Sequence, residues 1–153
     1  MIQRIQSFYL LLATLLIGSM FFMELTSLTS NNGTFVLLFR GIFKLSDGVL
    51  EPVISCIALA VLMVVTVSIL LTTLFLYKKR MLQIRLCGFC LGLLIGITGM
   101  PIYLGLNAAK VLSASYSFSI ALAFPVVSVI LVILAMRAIG KDEALVRSLN
   151  RIR

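Results

Sequence analysis

A chain of 153 residues that is 61% hydrophobic and only 12% charged departs from soluble domains, which are about half apolar and about a quarter charged. It is too short to wrap four long apolar helices in soluble structure. Its formal charge is +8, but the cations flank apolar runs without interleaved aromatics or a recognition-helix pattern, so nucleic-acid binding is excluded.

The apolar residues collect in four runs, Ile5–Met23, Val53–Tyr77, Leu86–Leu106 and Ser117–Ile139. Each supplies the roughly 20 residues that a helix needs to cross a hydrocarbon core of about 30 Å. Backbone groups in lipid must bond within their own segment, so each run is read as a helix. The expected class is an all-α membrane protein with one domain over residues 1–153. It would be a four-transmembrane-helix antiparallel bundle with spans near 5–24, 53–77, 86–106 and 117–139. A small extracytoplasmic loop or β-hairpin and a short cytoplasmic C-terminal amphipathic helix complete the expectation.

Span one is long for a signal-peptide core and lacks a small-x-small cleavage site, so it is read as uncleaved. It leaves the membrane near Glu24. Residues 25–51 form the longest connection. Asn31-Asn32-Gly33 and Asp47-Gly48 are turn signals, and Thr34-Phe-Val-Leu-Leu-Phe39 between them is rich in strand formers. A hairpin is expected here, with a re-entrant or interfacial segment as its competitor. The loop is too apolar to hang free in water and should pack on the helices or lie among headgroups. Asn32-Gly-Thr34 also matches a glycosylation sequon, a pattern that often arises by chance.

Pro52 is read as the first-turn residue of span two, which ends on Tyr77-Lys-Lys-Arg80, an aromatic and basic anchor. The short connection that follows makes spans two and three antiparallel neighbours. In span three, Gly88, Gly92 and Gly96 recur every four residues and are expected to form a helix-packing seam. Gly99-Met100-Pro101 is expected to kink or end that helix, leaving a second outer loop near 107–116. Pro125 predicts a kink in the outer half of span four, and Gly140 a stop. Lys141-Asp142-Glu143 then restarts a helix whose acids favour its first turn. Glu143 and Arg147 are spaced for an ion pair, while Leu145, Leu149 and Ile152 share a face. The tail over 140–153 therefore reads as a basic amphipathic helix for the inner leaflet, the underside of the bundle or a partner.

Charge orients the chain. One side holds Arg4, Lys78, Lys79, Arg80, Arg85, Arg137, Lys141, Arg147, Arg151 and Arg153; the other holds Arg40, Lys44 and Lys110. Basic residues beside spans stay cytoplasmic, so both termini are expected inside. With Asp142 and Glu143 the inner side carries +8. Glu24, Asp47 and Glu51 neutralise the outer side. Lys78, Lys79, Arg80, Arg85, Arg147, Arg151 and Arg153 are the residues expected to contact anionic lipid or a partner.

Chemistry has few candidates. The chain has no histidine, which removes the commonest metal ligand and the commonest general base; no metal, cofactor or catalytic residue is expected. Cys87-Gly-Phe-Cys90 has redox spacing, but the charge argument places it at the cytoplasmic end of span three, away from the oxidising side. Cys56 lies near the other end of span two. Every ionisable side chain falls at a span end or in a loop, whereas ion pathways place such groups inside spans. The expectation is a non-enzymatic accessory or scaffold protein engaging a protein partner or anionic lipid through its basic face, with homo-oligomerisation open. A small transporter or lipid-handling protein is the alternative, and a thiol redox enzyme comes third.

Three segments carry a resemblance. They are Met1-Ile-Gln-Arg-Ile-Gln6, Tyr77-Lys-Lys-Arg-Met-Leu-Gln-Ile-Arg-Leu86, and the tail with Arg137-Ala-Ile139, Lys141-Asp-Glu143, Leu145-Val-Arg-Ser148 and Arg151-Ile-Arg153. Together they resemble the uncharacterised four-helix bacterial inner-membrane family filed as domain of unknown function 4293. The resemblance covers the whole chain and is most specific in the tail, where Met136 and Asn150 depart from the family's Asn and Asp. It implies a bacterial inner membrane and four spans. The family brings no activity, so no residue acquires a role from it.

Overall fold

The computed structural model describes residues 2–30, 33–46, 49–76 and 79–151, with side chains over 5–30, 33–45, 51–76 and 79–144. Asn31, Asn32, Asp47, Gly48, Tyr77, Lys78, Ile152 and Arg153, which carry turn signals, part of the sequon, the interfacial anchor and the end of the tail, lie outside the described residues.

Four helices dominate: α1 (Ile2–Ser19), α2 (Ile57–Phe75), α3 (Arg80–Leu112) and α4 (Ala123–Arg151). Single 3-10 turns, Met20–Phe22 and Ile120–Leu122, end α1 and lead into α4. The buried positions explain how the helices associate. They are Gln6, Leu10, Ala13, Ile17 and Met20 at the first helix; Leu59, Met63, Thr66, Leu70 and Thr73 on α2; Gln83, Cys87, Cys90, Leu94 and Ile97 on α3; and Ser128, Val132, Ala135 and Ile139 on α4. These alternate steps of three and four residues, the spacing that lets nearly parallel helix axes mesh side chains along a seam. The first helix packs on α2 and α4, and α3 packs on the same two.

The outward faces are apolar as well. Phe8, Leu15, Ile57, Phe75, Phe89, Ile95 and Ile130 are all exposed. Such a belt is unfavourable in water and matched by hydrocarbon. All four helices are long and apolar enough to cross a membrane. Six hydroxyls within them are satisfied locally: those of Thr14, Thr66, Ser68, Thr72, Thr73 and Thr98 donate to the carbonyl four residues earlier, at 2.7–2.9 Å, which removes the cost of a bare polar group, whereas the buried Ser128 hydroxyl of α4 has no partner among the described residues.

The expected all-α class is overturned. Strands β1 (Thr26–Ser30), β2 (Gly33–Leu38), β3 (Gly41–Ser46), β4 (Val49–Ser55) and β5 (Ser115–Phe118) form one antiparallel sheet in the order β4-β3-β2-β1-β5. The fold is therefore mixed α and β. Every junction between sheet and helix falls at the same end of the helices, so the sheet caps that end. Residues 25–51, expected to give a hairpin at most, instead begin a four-stranded meander. The connection after α3 supplies the fifth strand by pairing β5 with β1, Leu28 opposite Tyr116.

Several boundaries shift for the same reason. Pro52 is not the first turn of a helix. It lies in β4, opposite Phe43, and β4 is an edge strand, the place in a sheet where proline is tolerated. The chain becomes helical only at Ile57. Pro101 does not end α3, which continues to Leu112; helices in lipid tolerate proline where neighbours re-satisfy the freed carbonyl. Pro125 is the third residue of α4, within a first turn where proline is tolerated, so no mid-helix kink is required of it. Gly140 does not stop α4, which runs unbroken to Arg151. The separate C-terminal amphipathic helix is thus the last part of α4.

Candidate functional site

The end of the molecule away from the sheet gathers the basic residues. Lys79 is exposed and precedes α3; Arg80 is half-buried at its first position, and Arg85 is exposed farther along. On α4, Arg137 and Lys141 are exposed. Arg80 joins the two groups, because its guanidinium Nη1 donates to the Asp142 backbone carbonyl at 3.4 Å. The start of α3 and the distal part of α4 therefore meet. Arg147 and Arg151 lie on the described backbone of α4 but outside the described side chains, and the expected Glu143–Arg147 pair lies there with them. Arg137 and Lys141, both exposed on α4, are not among the residues that the sequence singled out for lipid or partner contact. Their sign and position near the end of an apolar run are the signal that identifies them.

Just inside this end the helices bury polar groups. Gln83 is 2% exposed, and its Nε2 donates to the Thr73 carbonyl of α2 at 3.1 Å. Gln6 is also buried, yet its Nε2 has no hydrogen-bond partner among the described residues. The two glutamines should therefore respond in opposite ways to replacement. Gln83→Leu should destabilise the fold by about 1 kcal/mol, the scale of an interhelical hydrogen bond in lipid. Gln6→Leu should be neutral or stabilising, because it removes an unsatisfied amide. Melting temperatures in detergent distinguish the two outcomes.

Cys87 and Cys90 are fully buried on the same face of α3 as Gln83, the face that bonds to α2. They fill core positions rather than present a thiolate, which would require access. Cys56, between β4 and α2, is 7% exposed, and burial raises its thiol pKa. Among the described residues no three metal-ligating side chains gather.

The glycine series does not line a seam within this chain. The seam residues of α3 are Cys87, Cys90, Leu94 and Ile97. A methyl group added at Gly88 or Gly92 would meet nothing within 4 Å, and only Gly96 faces a neighbour, Leu62 of α2, at 3.4 Å.

At the sheet end lies a cleft of about 640 Å³ lined by Phe21, Phe22, Leu38, Phe39, Arg40 and Phe43. Phe21 and Phe22 follow α1, and the other four come from the β2–β3 hairpin, whose turn is Phe39-Arg40. The rings of Phe21 and Phe39 meet edge to face, with centroids 5.2 Å apart. The Arg40 guanidinium lies over the Phe39 ring at 5.2 Å, within cation–π range. Its backbone is held too, because the Cys56 N–H donates to the Arg40 carbonyl at 2.9 Å. Sequence reading missed this cleft; the lone Arg40 after an aromatic, apolar stretch was its only local sign.

The profile of a family described as a domain of unknown function (DUF4293) matches residues 2–152. The chain belongs to that family. No curated protein matches it. Membership in the DUF4293 family assigns no reaction and no ligand, so function has to be argued from the two ends of the molecule.

Proposed function

We propose that this chain is an integral protein of a bacterial cytoplasmic membrane, crossing it four times with both termini inside. It acts without catalysis, as an accessory or scaffold protein whose basic cytoplasmic face engages a protein partner or anionic lipid. The supporting observation is the charge sorting: ten cations fall in the segments at one end of the helices and three at the other. Cations beside spans are retained on the cytoplasmic side and attract acidic surfaces there. Geometry adds to this, since the Arg80–Asp142 hydrogen bond links the α2–α3 connection to α4. At about 1.5 Å per residue, the 29 residues of α4 exceed a hydrocarbon core of about 30 Å, so its basic last turns emerge on the cytoplasmic side.

Crosslinking with mass spectrometry in native membranes tests this reading. The full chain is compared with Arg147→Gln/Arg151→Gln/Arg153→Gln, which keeps the length of α4, and with deletion of Lys141–Arg153. Crosslinks from the basic face to a specific partner, or recovery of anionic lipid with the purified protein, should fall several-fold in both variants. An unchanged set of partners and lipids overturns the assignment. Cleavage of the tail by protease added outside intact cells overturns the topology.

A further inference from the structure

We propose that the cleft at the sheet end binds an anionic phospholipid of the adjacent leaflet, with an acyl chain along the phenylalanine walls and the headgroup phosphate at Arg40. The site lies opposite the basic end, so it stands or falls separately from the partner reading above.

The lining matches that ligand in kind. Five of the six residues are apolar, four of them phenylalanines, and the sixth is a permanent cation. A planar guanidinium offers two parallel donors to a phosphate, which a lysine cannot. The volume, about 640 Å³, lies within the roughly 300–1,000 Å³ range of small-molecule sites.

Position points the same way. The first apolar window ends at Phe22, so Phe21 and Phe22 stand where hydrocarbon gives way to headgroups. Phe22 is 91% exposed, and it leaves the cleft open sideways to lipid. Arg40 occupies a hairpin turn that the Cys56–Arg40 backbone bond holds beside the start of α2, at the helix ends, the depth at which a headgroup phosphate lies. The other two cations of this end are placed differently: Lys44 is registered opposite Glu51 across β3 and β4, and Lys110 lies in the last turn of α3.

The site is also preorganised. The Cys56–Arg40 backbone hydrogen bond, the Phe21–Phe39 ring contact and the Arg40–Phe39 stacking fix the turn, so little ordering opposes binding. A wholly apolar peptide would cover the rings without using the guanidinium.

The test uses the full chain in phosphatidylcholine vesicles. These hold a minor fraction of phosphatidylglycerol or phosphatidylcholine bearing a photoactivatable group on one acyl chain. Labelled residues are mapped by mass spectrometry. Phosphatidylglycerol should label the Phe21–Phe22 and Phe39–Phe43 segments preferentially. Arg40→Gln should reduce its preference over phosphatidylcholine about fivefold, the scale of one interfacial cation. Arg40→Lys should fall in between, and Lys110→Gln, which removes the same charge from the same end, should change nothing. The proposal is overturned if both lipids label equally, if Arg40→Gln keeps its preference with its melting temperature unchanged, or if the segments crosslink to a second copy instead.

Discussion

Gly41→Ala is expected to destabilise the protein by about 3 kcal/mol, combining backbone strain with a steric clash that has no side chain to absorb it. Gly41 opens β3 with φ at +152°, a region that is essentially glycine's own. A Cβ at this position would overlap the Ile54 carbonyl oxygen and lie 3.0 Å from the Ser55 Cα and 3.1 Å from the Cys56 nitrogen. All three are backbone atoms, so relief requires moving β4 or the start of α2. The same junction carries the Cys56–Arg40 hydrogen bond, and the adjacent β3–β4 pairing shifts register between Ile42 and Phe43. Gly33 provides the comparison. Its φ is also positive, at +124°, but its added Cβ would face only the flexible end of Lys44, at 3.3 Å. Gly33→Ala should therefore cost roughly 1 kcal/mol, from strain alone. Thermal unfolding of both variants in detergent gives the ordering. A Gly41→Ala protein as stable as the parent would mean that the hairpin does not nest against the β4–α2 junction.

How much of this was legible in the sequence depends on how far each signal reaches along the chain. The four helices were, because each carries enough apolar residues to satisfy a membrane on its own. Strand β2 was nearly so: Gly33–Leu38 coincides with the run of strand formers from Thr34 to Phe39. Strand β4 was hidden, because Val53 and Ile54 merge without a break into the apolar residues of α2, and composition does not mark where a strand gives way to a helix. Strand β5, Ser115–Phe118, is too short and polar to declare itself. It becomes a strand because β1 offers an open edge about 90 residues away in sequence, as the Thr26–Tyr116 contact records. The proline and glycine signals failed at Pro101 and Gly140 for a related reason. Their helix-breaking tendency is a local cost of about 1–3 kcal/mol, and packing between long apolar helices outweighs it.

The basic end shows the same division. The sign and side of its charges could be read residue by residue. The contact from Arg80 to the Asp142 carbonyl could not, because nothing in either segment names the other. The glycine spacing does not follow the seam within this chain. A repeat of four residues drifts around the helix relative to the alternating three-and-four steps that the seam of α3 follows. The series therefore leaves the buried face, which Cys87 and Cys90 occupy instead.

One glycine of α3 does meet a neighbour closely, and it lies outside that series. Gly105→Ala should destabilise the protein by about 1–2 kcal/mol, even though alanine is the better helix former by about 1 kcal/mol. A Cβ at Gly105 would overlap Tyr116 Cε2 and lie 3.2 Å from Cδ2 and 3.3 Å from Cζ. The ring is not free to move away. Its face meets Phe118 edge-on at 4.6 Å, and its hydroxyl lies 3.5 Å from Thr26 Oγ1. A displaced ring would pull β5 from β1 and loosen the docking of α3 beneath the sheet, where the Ser30 hydroxyl donates to the Leu112 carbonyl at 3.0 Å. Gly92→Ala, the same chemical change on the same helix with open space around it, should leave the melting temperature equal or higher. Tyr116→Ser in the Gly105→Ala background should recover part of the loss, and the interaction energy from that double-mutant cycle measures the clash directly. If Gly105→Ala melts with Gly92→Ala, or if the cycle closes without an interaction energy, then Tyr116 does not pack on α3 and β5 does not help to fasten the sheet to that helix.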